Sequence, residues 1–241
     1  MNITHFIGTD IGLLREENQD SYASGENPNG LIYIIADGLG HATGGKFASQ
    51  TAVNHLLNAY KRTNPVDVKK FLKETLLDIN RIVFHEKVKK YNKEMMASTC
   101  VALVIQNDNA YLAHVGDSRA YRWHANKLIQ LTRDQSLVQS LLDAGMITPN
   151  EAKNHLAKNV VTEALGTRGK LDIDVMENPI KLNIGDKFLL CTDGLWGMIK
   201  KQDFSEILSH YSGQEAIDEF IKLAIENGGT DNITLQLIQI N

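Results

Sequence analysis

The chain has 241 residues, of which 43% are hydrophobic and 22% charged, and its formal net charge is −4 at pH 7. This is the make-up of an ordinary globular protein, long enough for one large domain or two small ones with a sizeable core. The slight acidity gives no electrostatic case for nucleic acid or an anionic membrane surface as the main partner. No apolar stretch approaches the roughly 20 residues needed to span a bilayer. The opening MNITHFIGTD lacks a basic region followed by an apolar one, so no secretory signal is read and a cytoplasmic protein is expected. Cys100 and Cys191 both lie inside apolar runs and read as small buried hydrophobes, neither a disulfide nor a metal site.

The run LIYIIAD, Leu31 to Asp37, reads as a buried strand. From Gly44 a helical pattern carries Phe47, Ala48, Thr51, Ala52, His55 and Leu56, and it stops near Asn64-Pro65. That pair reads as an N-cap followed by proline at the first helical position. A second long helix places Val68, Phe71, Leu72, Leu76, Ile79, Ile82 and Val83 on one core-facing stripe. The period then changes. STCVALVIQNDNAYLAHVGDSRAYRWHANKLIQLT holds apolar runs separated by Asn107-Asp108-Asn109, Gly116-Asp117 and Ala125-Asn126, which reads as successive antiparallel hairpins. Helices return over Gln135 to Ala144 and Thr148 to Ala157, the second opened by a capping box, Thr148-Pro149-Asn150-Glu151. After the strand KFLLCTDG come two more helices, the second opened by Ser212-Gly213-Gln214-Glu215, another capping box. The last strand, NITLQLIQI, alternates apolar and polar residues, so one solvated face is expected. Hairpin strands with helices grouped around them argue for an α+β fold over a parallel doubly wound sheet. There are no repeats and no low-complexity segments.

Asp37, Asp117, Asp193 and Asp231 stand at the ends of apolar runs, in IIADG, AHVGDSRAY, LLCTDGLWG and GGTDNITL. One carboxylate there is an ordinary turn residue. Four suggest convergence on one edge of a sheet system, where they would repel each other unless a cation neutralises them. Carboxylate oxygens are the preferred ligands of Mg2+ and Mn2+. Two such ions about 3.5–4 Å apart can hold a bridging water, lower its pKa and aim it at phosphorus. Arg15, in the polar stretch TDIGLLREENQDSY, is the candidate to grip the phosphate with its planar fork.

The series TDIGLLREENQDSY, IIADGLGHATGGKFAS, MASTCVALVI, LAHVGDSRAYRW, FLLCTDGLWG and GGTDNITL, in that order, resembles the motifs of the metal-dependent Ser/Thr protein phosphatases (the PPM or PP2C family). Its compact bacterial members are the most similar. SLVQSLLDAGMITPNEAKNHLAKNVVTEALG resembles the family's mobile flap, placed here at about 134–170 of a single catalytic domain spanning 1–241. The resemblance implies a four-layer αββα sandwich, two antiparallel sheets face to face with helices outside, and a dinuclear metal site at one end. It implies that Asp37 bridges two metals with the Gly38 carbonyl on one of them, and that Asp193 and Asp231 ligate the other. Asp117, with Asp193, would help hold a third, weaker ion; Asp20 would orient metal-bound water; Arg15 would bind the substrate phosphate. The nucleophile would be the bridging water or hydroxide, with no phosphoenzyme. Implied partners are phosphoserine and phosphothreonine proteins and an opposing Ser/Thr kinase, and the family suggests a monomer.

Three features depart from the family pattern. Leu39 follows Asp37-Gly38 where many eukaryotic relatives have a His proposed as general acid. His41 comes one residue early relative to bacterial relatives, leaving an altered Leu39-Gly40-His41 loop. The flap opens Asp134-Gln135-Ser136 where Asp-His-Ser is common. Other classes fit less well. Gly40 to Lys46 has P-loop spacing, but Phe47 stands where the Mg2+-binding hydroxyl belongs. Six positions beyond the two cysteines stand Gln106 and Gly197, not the Arg of a cysteine phosphatase, and no Gly-x-Ser-x-Gly elbow appears. The alternatives kept are a phosphatase acting on sigma-factor regulators, against which the intact Arg15 and VGDSRAY motifs argue, and a metal-poor pseudophosphatase serving as a binding module. Trp196 and Trp123 read as core or rim packing, not as substrate-stacking rings.

Overall fold

The computed structural model describes residues 1–40, 44–90 and 96–241. The amino-terminal part holds β1 (Ile3–Asp10), β2 (Ser21–Asn27), β3 (Gly30–Ala36), β4 (Gly38–Gly40), α1 (Gly44–Arg62) and α2 (Val68–Lys90). The middle holds β5 (Met96–Ser98), β6 (Cys100–Gln106), β7 (Asn109–Val115), β8 (Arg119–His124), β9 (Lys127–Gln130), α3 (Leu137–Asp143) and α4 (Pro149–Lys153). Then come β10 (Asp174–Val175), β11 (Ile180–Lys181), β12 (Lys187–Cys191), α5 (Asp193–Trp196), α6 (Lys201–His210), α7 (Gly213–Glu226) and β13 (Ile233–Ile240). One sheet runs β1-β13-β12-β8-β9; the other runs β10-β7-β6-β3-β2, with β11 also on β7, and β4 pairs with β5 apart from both. All these pairings are antiparallel.

The side-chain alternation of each strand builds three stacked cores. Ile32, Ile34, Ala102 and Val104 face α1 and α2, meeting Ala52, Leu56, Leu72, Leu76 and Ile79. Their neighbours Tyr33, Ile35, Val101 and Leu103 face the other sheet, meeting Phe188, Leu190, Ile238 and Ile240. On that sheet's far side Leu189, Leu235 and Leu237 pack on Phe204, Ile207, Ile217 and Phe220 of α6 and α7. Helix, sheet, sheet, helix: this is the expected αββα sandwich. Cys100 and Cys191 are free and fully buried, and Trp123 belongs to the helix-side core.

Several local expectations give way. β13 has no solvated face, because it lies inside a sheet that is covered on both sides. Its polar residues are satisfied internally instead: Gln236 donates to the Ile34 carbonyl at 2.6 Å, and its Oε1 lies 2.8 Å from His5 Nε2. Gln239 Oε1 accepts from Gly213 N at 2.9 Å, and Ser212 makes no side-chain cap, so the capping box expected at α7 is absent. The cap of α2 is likewise Asp67, whose carboxylate accepts from Lys70 N at 3.0 Å, and not Asn64. The helix expected to reach Ala157 ends at Lys153; its Thr148–Glu151 capping box forms, but it buries no residue, and without an apolar stripe nothing holds further turns. Asn107-Asp108 and Ala125-Asn126 are hairpin turns with positive φ at both residues. Gly116-Asp117 is not a hairpin turn: β7 and β8 lie in different sheets, so this link crosses between them.

Candidate functional site

That crossing sets the location of the site. β3, β7 and β12 run out at the same end of the sandwich, which places Asp37, Asp117 and Asp193 there. Asp231 stands at a strand's entry, not its exit, yet arrives at the same end because β13 is antiparallel to β12. The four carboxylates and Asp20 interact with one another. Burial pushes Asp37 well above the usual carboxylate range, and repulsion from Asp193, Asp20, Asp117 and Asp231 adds to it. Burial raises Asp117 in the same way, helped by Asp193 and Asp134. Asp193 is pushed up to about 6 by burial and Asp231, although a hydrogen bond with Asp37 and the nearby Arg15 hold it down. Asp20 is pushed up to about 8 by burial, against hydrogen bonds from Thr234 and Thr192.

Backbone geometry explains how the loops come so close. A side chain at Gly38 would place its Cβ 2.3 Å from the Gly45 carbonyl oxygen, so glycine alone lets α1 begin against this loop. Gly12 has φ +77° and passes the Asp231 carbonyl so closely that a Cβ would sit 2.3 Å from its oxygen. This brings the loop carrying Arg15 over the carboxylates. Arg15 Nη2 reaches Asp231 Oδ2 at 2.6 Å, and that hydrogen bond, outweighing desolvation, raises the guanidinium pKa.

The remaining supports carried little sequence signal. Asn232 holds the Arg15 loop at three points: its Oδ1 accepts from Gln19 N at 2.8 Å, and its Nδ2 donates to the carbonyls of Ile11 at 2.9 Å and Glu17 at 3.1 Å. Thr99 Oγ1 accepts from Asp37 N at 2.9 Å and lies 2.7 Å from Ser118 Oγ, tying the Asp37 and Asp117 loops together. Thr192 Oγ1 donates to Asp20 Oδ2 at 2.9 Å. The available cue was position: Asn232, Thr192 and Ser118 each adjoin a motif aspartate, and Thr99 lies in the MASTCVALVI segment. His41 lies outside the described residues. Leu39 sits in β4 opposite Ala97, and Lys46 pairs with Glu17 at 3.2 Å.

Divalent cations fit this donor set. Asp20 Oδ1 and Asp117 Oδ1 are buried without a hydrogen-bond partner, and a buried oxygen of that kind is costly unless something else satisfies it. Among the described residues no three acidic or imidazole side chains already form a ready-made cage. Asp231 instead leans on Arg15. The cluster is thus a set of mutually repelling donors that cations would draw together.

A family model described as protein phosphatase 2C matches residues 15–223. The chain belongs to that family of metal-dependent phosphatases. It is 36% identical over 239 residues to the serine/threonine phosphatase stp of Listeria welshimeri, covering 97% of this chain and 94% of that one. The serine/threonine phosphatase of S. agalactiae superposes with a TM-score of 0.94 at 30% identity, over 100% of both chains. The catalytic domain of the phosphatase PstP in complex with two manganese ions superposes with a TM-score of 0.86 at 28% identity, over 99% of both.

Proposed function

We propose that this protein is a metal-dependent protein serine/threonine phosphatase working at the Asp37–Asp193–Asp231 cluster, within a single catalytic domain over residues 1–241. The observation that carries the reading is the convergence of five buried or half-buried carboxylates with one arginine at a single end of the sandwich. Asp37 and the Gly38 carbonyl would hold one ion, and Asp37, Asp193 and Asp231 the other. Asp117 with Asp193 would hold a third, weaker one. Mn2+ or Mg2+ bound here would supply the positive charge that polarises the phosphoryl group and the water that attacks it, as the manganese pair of PstP suggests.

The chain's own residues then have defined tasks. Arg15 exchanges its contact with Asp231 for the substrate's phosphate oxygens, a swap between two anions that its fork suits equally. Asp20, with Oδ2 pinned by Thr192, keeps Oδ1 free to hold a proton or orient water. With the carboxylates engaged as cation ligands, water would be the attacking group, so no phosphoenzyme is expected. Leu39 cannot protonate the leaving alkoxide, so that proton would come from water at the cluster or from another group beside it. Substrates would be phosphoserine and phosphothreonine proteins, made by an opposing kinase, and the protein would act as a cytoplasmic monomer. Among the described residues no helix is long and apolar enough to cross a membrane.

The test is hydrolysis of a phosphothreonine peptide by EDTA-stripped protein with and without millimolar Mn2+. Activity restored by Mn2+ is the expected result. Silence despite metal binding would point to the Leu39-Gly40-His41 loop and a narrow substrate requirement. No metal binding would sink the reading in favour of a binding module.

A further inference from the structure

Asp117 is held from two sides by the segment that opens the flap. On one side, Gln135 N donates to the Gly116 carbonyl at 3.0 Å, while Gln135 Oε1 accepts from Gly116 N at 2.7 Å. Its amide also donates to the Asp172 carbonyl at 3.0 Å. On the other side, Arg119 grips Asp134 with both arms of its fork, at 2.9 and 2.6 Å. The Asp134 carboxylate is 8% exposed, so this pair is shielded from solvent and is stronger than a surface ion pair. The same guanidinium lies 3.5 Å from the centre of the Trp196 ring, a cation–π contact. Trp196 Nε1 in turn donates to the Asp117 carbonyl at 3.0 Å. The flap closes on itself just beyond this point, through Leu137 N to the Val160 carbonyl and Thr162 N to the Gln135 carbonyl.

We infer that Trp196 and Arg119 are positioning residues for Asp117, joining the flap's root to the carboxylate proposed for the third cation. The inference rests on the phosphatase reading above. Trp196 comes from α5, three residues after Asp193, and Arg119 from the start of β8. The chain Asp134–Arg119–Trp196–Asp117 therefore joins the flap's root, β8, α5 and the β7–β8 link, and sets the Asp117 backbone relative to Asp193. Among the described residues Asp117 Oδ1 has no hydrogen-bond partner, so the place of the Asp117 backbone bears directly on where that oxygen stands. A flap displaced by a docking phosphoprotein would pull on the same chain.

The deciding variant is Trp196→Phe, which keeps a ring under Arg119 but removes the N–H. Mn2+ binding is followed by electron paramagnetic resonance, apart from any turnover assay. The expected result is that the loosest Mn2+ site weakens by about tenfold, the usual loss when a supporting hydrogen bond to a ligand residue is removed, while the tighter sites hold. In an Asp117→Asn background the same substitution should change nothing further. Arg119→Lys, which loses the fork, should reproduce the weakening and speed amide exchange over residues 135–162. Wild-type binding by Trp196→Phe, or an equal loss in the Asp117→Asn background, would overturn the inference; should Arg119→Lys not fold, Trp196→Phe decides by itself. A wild-type protein that binds no Mn2+ would overturn the phosphatase reading and this inference together.

Discussion

Asp186 and Asp193 stand at the two ends of the same strand, β12, and the protein treats them in opposite ways. Asp186 is 1% exposed and fully answered: Arg122 donates to it at 2.5 Å, His124 Nδ1 lies at 2.6 Å, and Asn183 N donates at 3.0 Å. Burial works against its charge, but these partners bring its pKa below the ordinary 3.8. Asp193 is buried among other carboxylates that Arg15 only partly offsets, and its pKa rises to about 6. A buried charge with internal partners is part of the frame, whereas one without them is kept in place by the frame for an outside cation.

The sharpest way to break this comparison is to neutralise each side. Asp37→Asn or Asp193→Asn is expected to lower phosphopeptide turnover by on the order of a thousandfold, the scale of losing a main electrostatic contact to the transition state. Either should leave the metal-free protein as stable or more so, since one repelling charge is gone; melting in EDTA checks this. Asp186→Asn should do the reverse. It strands Arg122 in a buried setting and should cost about 3 kcal/mol of stability, while Mn2+ affinity measured on the folded protein stays near wild type. Equal behaviour of the two substitutions would end the distinction.

Acid and metal sharpen the comparison further. Asp186 has a depressed pKa, so its contribution is complete above 3.8 and is lost as the pH falls through and below that value. Asp193 and Asp20 have raised pKa values, so their burden is absent below 3.8, grows as the pH rises above it, and is complete only above about 6 and about 8. Cations relieve that burden and bind only the deprotonated groups. The stabilisation on adding Mn2+, followed by melting, should therefore be larger at pH 8 than at pH 6, reaching about 3 kcal/mol at a hundredfold excess over Kd. A gain independent of pH would remove these carboxylates from the metal site. The smallest effect is expected from Arg15→Ala, a rise of about tenfold in KM for phosphopeptide with kcat little changed, as for a group that binds ground and transition states alike.

What could be read in advance had local causes. Apolar stripes in α1 and α2 and paired turn residues at Asn107-Asp108 place their elements because each depends on neighbours within a few residues. The aspartates stood out because several turn carboxylates in a row invite a cation. Two misreadings arose where a distant segment supplied the partner. Gln239 of β13 satisfies Gly213 in place of the Ser212 cap, and Ile34 satisfies Gln236 in place of water.

By itself the sequence determined the α+β class, the core stripes and the donor types at the site, since periodicity and residue chemistry are properties of the chain alone. Only the tertiary structure decided that β7 and β8 belong to different sheets, that Asp231 enters where Asp193 leaves, and that Trp196 hydrogen-bonds the Asp117 carbonyl. Those facts depend on which strands pair across long separations. Pairing of that kind is set by the shared burial of both sheets and both helical layers, a balance that no single segment carries.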